Sequence, residues 1–198
     1  MYKYFLSLLC MAVVISLCSI SHARMIPSDM PVAAIDNQMP STDIDDVHTF
    51  IAERIKLFEG FSPVRYRCSS GIMLQGYGKY VKHSPSRISR QTADRWLRQD
   101  IRTCVKQLDE QLPWWRELST VRQAALIDLT YNMGIYKVLK FKKFLTHMRQ
   151  GRYELASKEL MRDRQGRKSR YARQVGIRAV EISHAISSDV WVPLKEFA

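Results

Sequence analysis

Glu59 ends an amphipathic run, with Phe58 before it and Gly60-Phe61 after it. A carboxyl group placed there loses part of its hydration, which disfavours the charged form and lets it hold a proton near neutral pH. Such a group is suited to general-acid chemistry, donating its proton to a leaving oxygen as a bond breaks. Taken alone, a Glu in that place reads as a solvated helix end. Cys68 follows closely, with Arg65, Arg67 and Lys79 near it in sequence. A thiol with a reference pKa of about 8.5 is only slightly ionised at neutral pH, and neighbouring cations raise that share. Cys68 therefore reads in three ways: a reactive group, a half-buried small residue, or half of a bridge to Cys104. The last is disfavoured, because Cys104 falls on the far part of a separate helix. No metal-ligand spacing, phosphate loop or Ser/His/Asp arrangement stands out, so neither a metal nor a cofactor is expected.

The elements that must position these groups follow from periodicity. Phe50, Ile51, Ile55, Leu57 and Phe58 recur near helical spacing after Asp45-Asp46, and Gly60 stops the helix. Residues 61–81 carry Pro63, Gly71, Gly76 and Gly78 among Tyr66, Ile72, Leu74, Tyr77 and Tyr80, which predicts a small hairpin or meander. Thr92 is suited to cap a helix through about Leu108, with Trp96, Leu97, Ile101, Val105 and Leu108 on one stripe. Ser119-Thr120 opens a very apolar helix, Val121 to Met133, closed by Gly134. Helical stretches are expected at about 138–149, 152–163 and 172–187, with Trp191 tucking the tail onto the core. The expected class is α+β and mainly helical, with a small sheet lobe and a helical lobe joined by a connecting helix. A cleft between such lobes suits an extended ligand.

The chain has 198 residues, 46% of them apolar, and a formal charge of +12. The charge is uneven. Residues 1–23 hold only Lys3, and residues 24–50 set Arg24 against five Asp residues, so the basic excess falls on 51–198. Such a surface favours a polyanion: nucleic acid, anionic membrane or wall polymer. The first segment narrows the choice. Met1-Tyr2-Lys3 precedes an almost continuous apolar run from Tyr4 to Ile20, and Ser21-His22-Ala23 supplies small residues at the positions a signal peptidase reads. Residues 1–23 are thus expected to be a signal peptide, 24–44 a Pro- and Asp-containing linker, and 45–198 one folded domain. The expected location is periplasmic or secreted, and export argues against a nucleic-acid partner.

The stretch Glu59-Gly60, Tyr66-Arg67-Cys68 and Gly71-Ile72-Met73-Leu74-Gln75-Gly76-Tyr77-Gly78-Lys79 resembles the phage-type, T-even endolysin-like lysozymes of glycoside hydrolase family 24. Thr92 to Asp100, Val121 to Leu126, Tyr131 to Gly134, Phe141 to Leu145, Tyr153 to Ala156 and Arg170 to Glu181 follow in that family's order. The resemblance implies a lysozyme-like fold and hydrolysis of the β-1,4 bond between N-acetylmuramic acid and N-acetylglucosamine in peptidoglycan, an anionic polymer outside the cytoplasm. It implies Glu59 as general acid and Cys68 in the second catalytic position, with Tyr80, Tyr131 and Asn132 at sugar-contacting positions. It also implies an arginine paired with Glu59, in the register Arg170 or Arg173.

Two departures from the family pattern carry consequences. The family's Thr, whose hydroxyl helps hold the attacking water, is Leu74, and leucine makes no hydrogen bond to water. The family's His after Gly-Tyr-Gly is Lys79, for which an ion pair with Asp100 is the expected replacement. The leading expectation is a monomeric, secreted muramidase. The alternative is a catalytically impaired protein that holds glycan strands in the same cleft. A third reading is a cationic protein acting on anionic membranes through its basic helices.

Overall fold

The computed structural model describes residues 44–68 and 71–191. The expected leader (1–23) and nearly all of the expected linker (24–44) lie outside those residues. Helix α1 (Ile44–Glu59) leads into a three-stranded antiparallel sheet of β1 (Ser62–Arg67), β2 (Met73–Gly76) and β3 (Lys79–Tyr80), in that order. The connecting helix α2 (Arg90–Gln111) and a 3₁₀ turn (Pro113–Glu117) follow. The helical lobe comprises α3 (Thr120–Met133), α4 (Ile135–Val138), α5 (Lys142–Arg149), α6 (Tyr153–Met161), α7 (Arg170–Val175) and α8 (Ile177–Ser188). The expected α+β, mainly helical class is what the structure shows.

Helix α3 is the hub. From Gln123 to Met133 every residue is buried, and the helix packs against α1, α2 and α8. Ser119 caps it by accepting from the Arg122 amide at 3.4 Å, and Gly134 ends it at φ +80°. Trp191 meets Phe50 edge-on with ring centroids 5.4 Å apart, so the tail returns to α1 as expected. The connecting helix is tied to α1 by Lys56, whose Nζ lies 2.9 Å from Asp94 Oδ1.

The sheet has two unlike faces. Leu74 pairs with Tyr66 on one side and Tyr80 on the other, and forms with Cys68 a small apolar cluster separate from the main core. Gln75, the next residue along β2, points the opposite way and is buried. Its Nε2 donates to the Pro63 and Pro85 carbonyls, and its Oε1 accepts from Ser84 Oγ at 2.6 Å. These three bonds satisfy a buried amide and pin the loop that leads to α2.

Three expectations need correction. Helix α2 starts at Arg90, because Ser89 accepts from the Thr92 amide at 3.1 Å and is the cap in place of Thr92. The stretch 138–149 divides into α4 and α5, with Phe141 leaving helical geometry (ψ 57°). The stretch 172–187 divides at Gly176, whose φ of +57° and ψ of −124° lie where a side chain is poorly tolerated. That last break sets the direction of α8 and with it the position of Arg178.

Candidate active site

Glu59 is the last residue of α1, and its side chain is 9% exposed. Gly60 (φ +66°) turns the chain immediately afterwards into β1. One carboxylate oxygen, Oε1, accepts from Arg178 Nη1 at 2.8 Å. The other, Oε2, lies so near the Gly78 backbone that a Cβ there would stand 3.3 Å from it. Glu59 is thus clamped between the first turn of α8 and the β2–β3 turn. Burial pushes its pKa above the ordinary glutamate value. Arg178 opposes that shift by charge and hydrogen bond, and Asp128 adds to it.

Arg178 is itself buried and also donates from Nε to Asp128 Oδ1 at 2.8 Å. Burial alone would lower its pKa, but the Asp128 and Glu59 carboxylates hold it above the usual arginine value. The guanidinium lies 4.9 Å from the Phe58 ring centroid, and Arg54 approaches the same ring at 5.8 Å. Arg54 in turn pairs with buried Glu181. A cation in the first turn of a helix opposes the helix dipole, and here two buried carboxylates offset that cost.

The arginine expected at 170 or 173 is therefore Arg178. Arg170 is exposed at the start of α7, and Arg173 donates to the Lys168 carbonyl at 2.5 Å. The break at Gly176 starts the helix whose first turn carries Arg178 to Glu59. Asp128 was missed, although a lone acid inside the run Ala-Ala-Leu-Ile-Asp-Leu was a visible signal. The expected Lys79–Asp100 pair is present, with Nζ 2.5 Å from Oδ1. Burial raises the Asp100 pKa, against the pull of Lys79.

The remaining expected site residues divide between cleft and core. Cys68 is buried at 4% exposure and Leu74 at 1%, packed together with Tyr66, Ile72 and Tyr80. Cys68 and Cys104 do not pair with one another. Tyr80 is half-buried on the edge strand β3. Tyr131 is buried, and its hydroxyl donates to the Tyr77 carbonyl at 3.1 Å, so it props the β2–β3 turn and has no open face for a sugar. Asn132 is wholly buried, with neither its amide nitrogen nor its oxygen hydrogen-bonded among the described residues. No cluster of His, Cys, Asp and Glu suited to a metal occurs among them either.

Gly78 gives a direct test of the clamp. Gly78→Ala places a methyl group against Glu59 Oε2 at a φ of +79°, where a non-glycine residue is strained by about 1 kcal/mol or more. We expect a lower melting temperature and a disproportionately larger loss of turnover, measured on peptidoglycan beside a Gly166→Ala control. Gly166 also has positive φ but has open space around it.

The chain matches the phage lysozyme family model over residues 56–180, from the last turn of α1 into α8. No match is found among curated proteins. The matched span includes Glu59, the whole sheet, Asp128 and Arg178, so the family assignment covers the entire clamp. The chain belongs to the phage lysozyme family, whose membership implies a glycosidase acting on peptidoglycan.

Proposed function

We propose that the chain cleaves the β-1,4 bond between N-acetylmuramic acid and N-acetylglucosamine, with Glu59 as the general acid, after export to the periplasm or the medium. The observation that carries this reading is the buried Glu59 carboxyl, held by Arg178 on one oxygen and bounded by Gly78 on the other. A leaving glycosidic oxygen needs a proton at the moment the C1–O bond breaks, and a carboxyl with a raised pKa retains one. Tyr80, half-buried on the edge strand, supplies an aromatic face for a pyranose ring. The basic surface of 51–198 draws the protein to the anionic wall.

A general acid works only while protonated. Turnover on isolated peptidoglycan is therefore expected to fall as pH rises through the raised Glu59 pKa, above the range where an ordinary glutamate ionises. Initial rates of fragment release at constant ionic strength measure this. A rate that instead rises through the glutamate range would assign Glu59 a base role and contradict the reading.

One observation favours the alternative, a glycan-binding protein with impaired turnover. Leu74 and Cys68 are buried where the family pattern handles water. Co-sedimentation with insoluble wall, without release of soluble sugar, would mark that outcome.

A further inference from the structure

We propose that the exposed face of the connecting helix α2 is a docking stripe for a linear phosphodiester polymer of the cell envelope, held by Arg95, Arg98 and Arg102. The inference rests on the wall-directed reading above for the polymer's setting. It concerns a surface that shares no residue with the Glu59 clamp.

Helix α2 buries one row of side chains, Ala93, Leu97, Ile101, Cys104, Val105 and Leu108. Arg95, Arg98 and Arg102 recur at i, i+3 and i+7 on another face, and all three are exposed. At the rise of an α-helix they span about 10 Å along its axis. The acids of the helix are engaged elsewhere: Asp94 with Lys56, Asp100 with Lys79, Asp109 with Arg116 and Glu110 with Lys106. Among the described residues no acid pairs with any of the three arginines, and Arg95 donates to the Thr92 hydroxyl. The basic stretch of the helical lobe differs. There Arg162 donates to the Gly166 carbonyl, Arg167 pairs with Asp163, Arg173 donates to the Lys168 carbonyl and Lys143 faces Glu159. Like charges one turn apart on a helix repel one another, and a bound polyanion removes that cost.

A guanidinium presents a planar fork of N–H donors that matches two phosphate oxygens, and a row of them suits an acceptor that repeats. A polyol-phosphate chain carries one negative charge per short, flexible repeat, so neighbouring phosphates reach neighbouring arginines. Weak exposed pairs then reinforce one another, because the first contact holds the next phosphate close to the next arginine. A bilayer surface fits less well. A helix that lies on a membrane inserts an apolar face, and the large exposed apolar residues among those described, Leu57, Val64, Tyr136, Leu155, Ile177 and Val190, all lie off α2. Nucleic acid shares the phosphodiester chemistry, but the expected export of the chain sets it beside envelope polymers.

The test is binding of fluorescently labelled poly(glycerol phosphate) to the purified protein, read by anisotropy at low ionic strength. Arg95→Gln, Arg98→Gln and Arg102→Gln are combined in one variant. Lys140→Gln, Arg149→Gln and Arg164→Gln, at exposed positions of the helical lobe, form a control with the same loss of charge. Substitutions at such exposed positions leave the fold intact, which thermal unfolding of both variants checks. We expect the stripe variant to bind about tenfold more weakly, as three exposed ion pairs allow, and the control to stay within about twofold of the parent. Equal losses in the two variants overturn the stripe in favour of diffuse attraction. Polyglutamate of matched charge bound as tightly as the polyol phosphate overturns the phosphate assignment. Stripe-dependent binding that is stronger to anionic vesicles or to single-stranded DNA overturns the envelope polymer as partner. Peptidoglycan cleavage is read separately on the same preparation. A protein that cleaves but ignores the polymer overturns this inference and leaves the glycosidase reading standing.

Discussion

Glu59→Gln is expected to lower fragment release from peptidoglycan by about 10²–10⁴-fold, the range general acid catalysis contributes. The substitution keeps the shape of the side chain and an oxygen for Arg178 Nη1, so the clamp survives while the transferable proton is lost. Co-sedimentation with the wall should be unchanged. Stability should not fall, and the sign can be derived. Burial raises the folded-state pKa of Glu59 above its unfolded value, so ionising it costs folding free energy. That cost grows as pH rises from the unfolded pKa and is complete above the folded one. A neutral amide removes it, so thermal unfolding at neutral pH should show Glu59→Gln equal to or more stable than the parent. A site that gives up stability for reactivity has this signature. A variant that is less stable yet fully active would make Glu59 a structural residue.

Arg178→Met is expected to cost about 3–5 kcal/mol of stability, because it leaves Asp128 and Glu59 buried without their shared cation. Denaturant unfolding measures this. Arg178 both lowers the Glu59 pKa and holds Oε1 in place, so the surviving activity should shift its falling limb to higher pH. That displacement separates the loss of a charge partner from general unfolding, which would lower the rate at every pH. Asp128→Leu made together with Arg178→Met should recover part of the stability, since removing both members of a buried pair is far milder than removing one. The recovered portion measures their coupling.

The sequence made the chemistry of this site more legible than its geometry. The helix stop at Gly60 is a local signal that places Glu59 at a helix end, but only the family pattern that follows it separates an acid from a solvated Glu there. The Lys79–Asp100 pair followed from charge complementarity at positions whose placement the family pattern supplies. Arg178 did not follow. Three arginines, 170, 173 and 178, share one stretch, and only the backbone turn at Gly176 selects among them. The same limit applies to Tyr131, whose residue type suits a sugar face equally well as a buried strut. Its bond to the Tyr77 carbonyl, more than fifty residues away, depends on how α3 meets the sheet. Leu74 shows the reverse case. Its inability to hold water was evident from residue type alone, while its packing against Cys68 came from the register of β1 on β2.

The most direct test of the central claim is to count new chain ends after the purified protein acts on isolated peptidoglycan. A glycosidase acting through Glu59 creates new muramic acid ends in step with solubilisation, and creates no new amino groups. New amino groups, or solubilisation without new sugar ends, would contradict it.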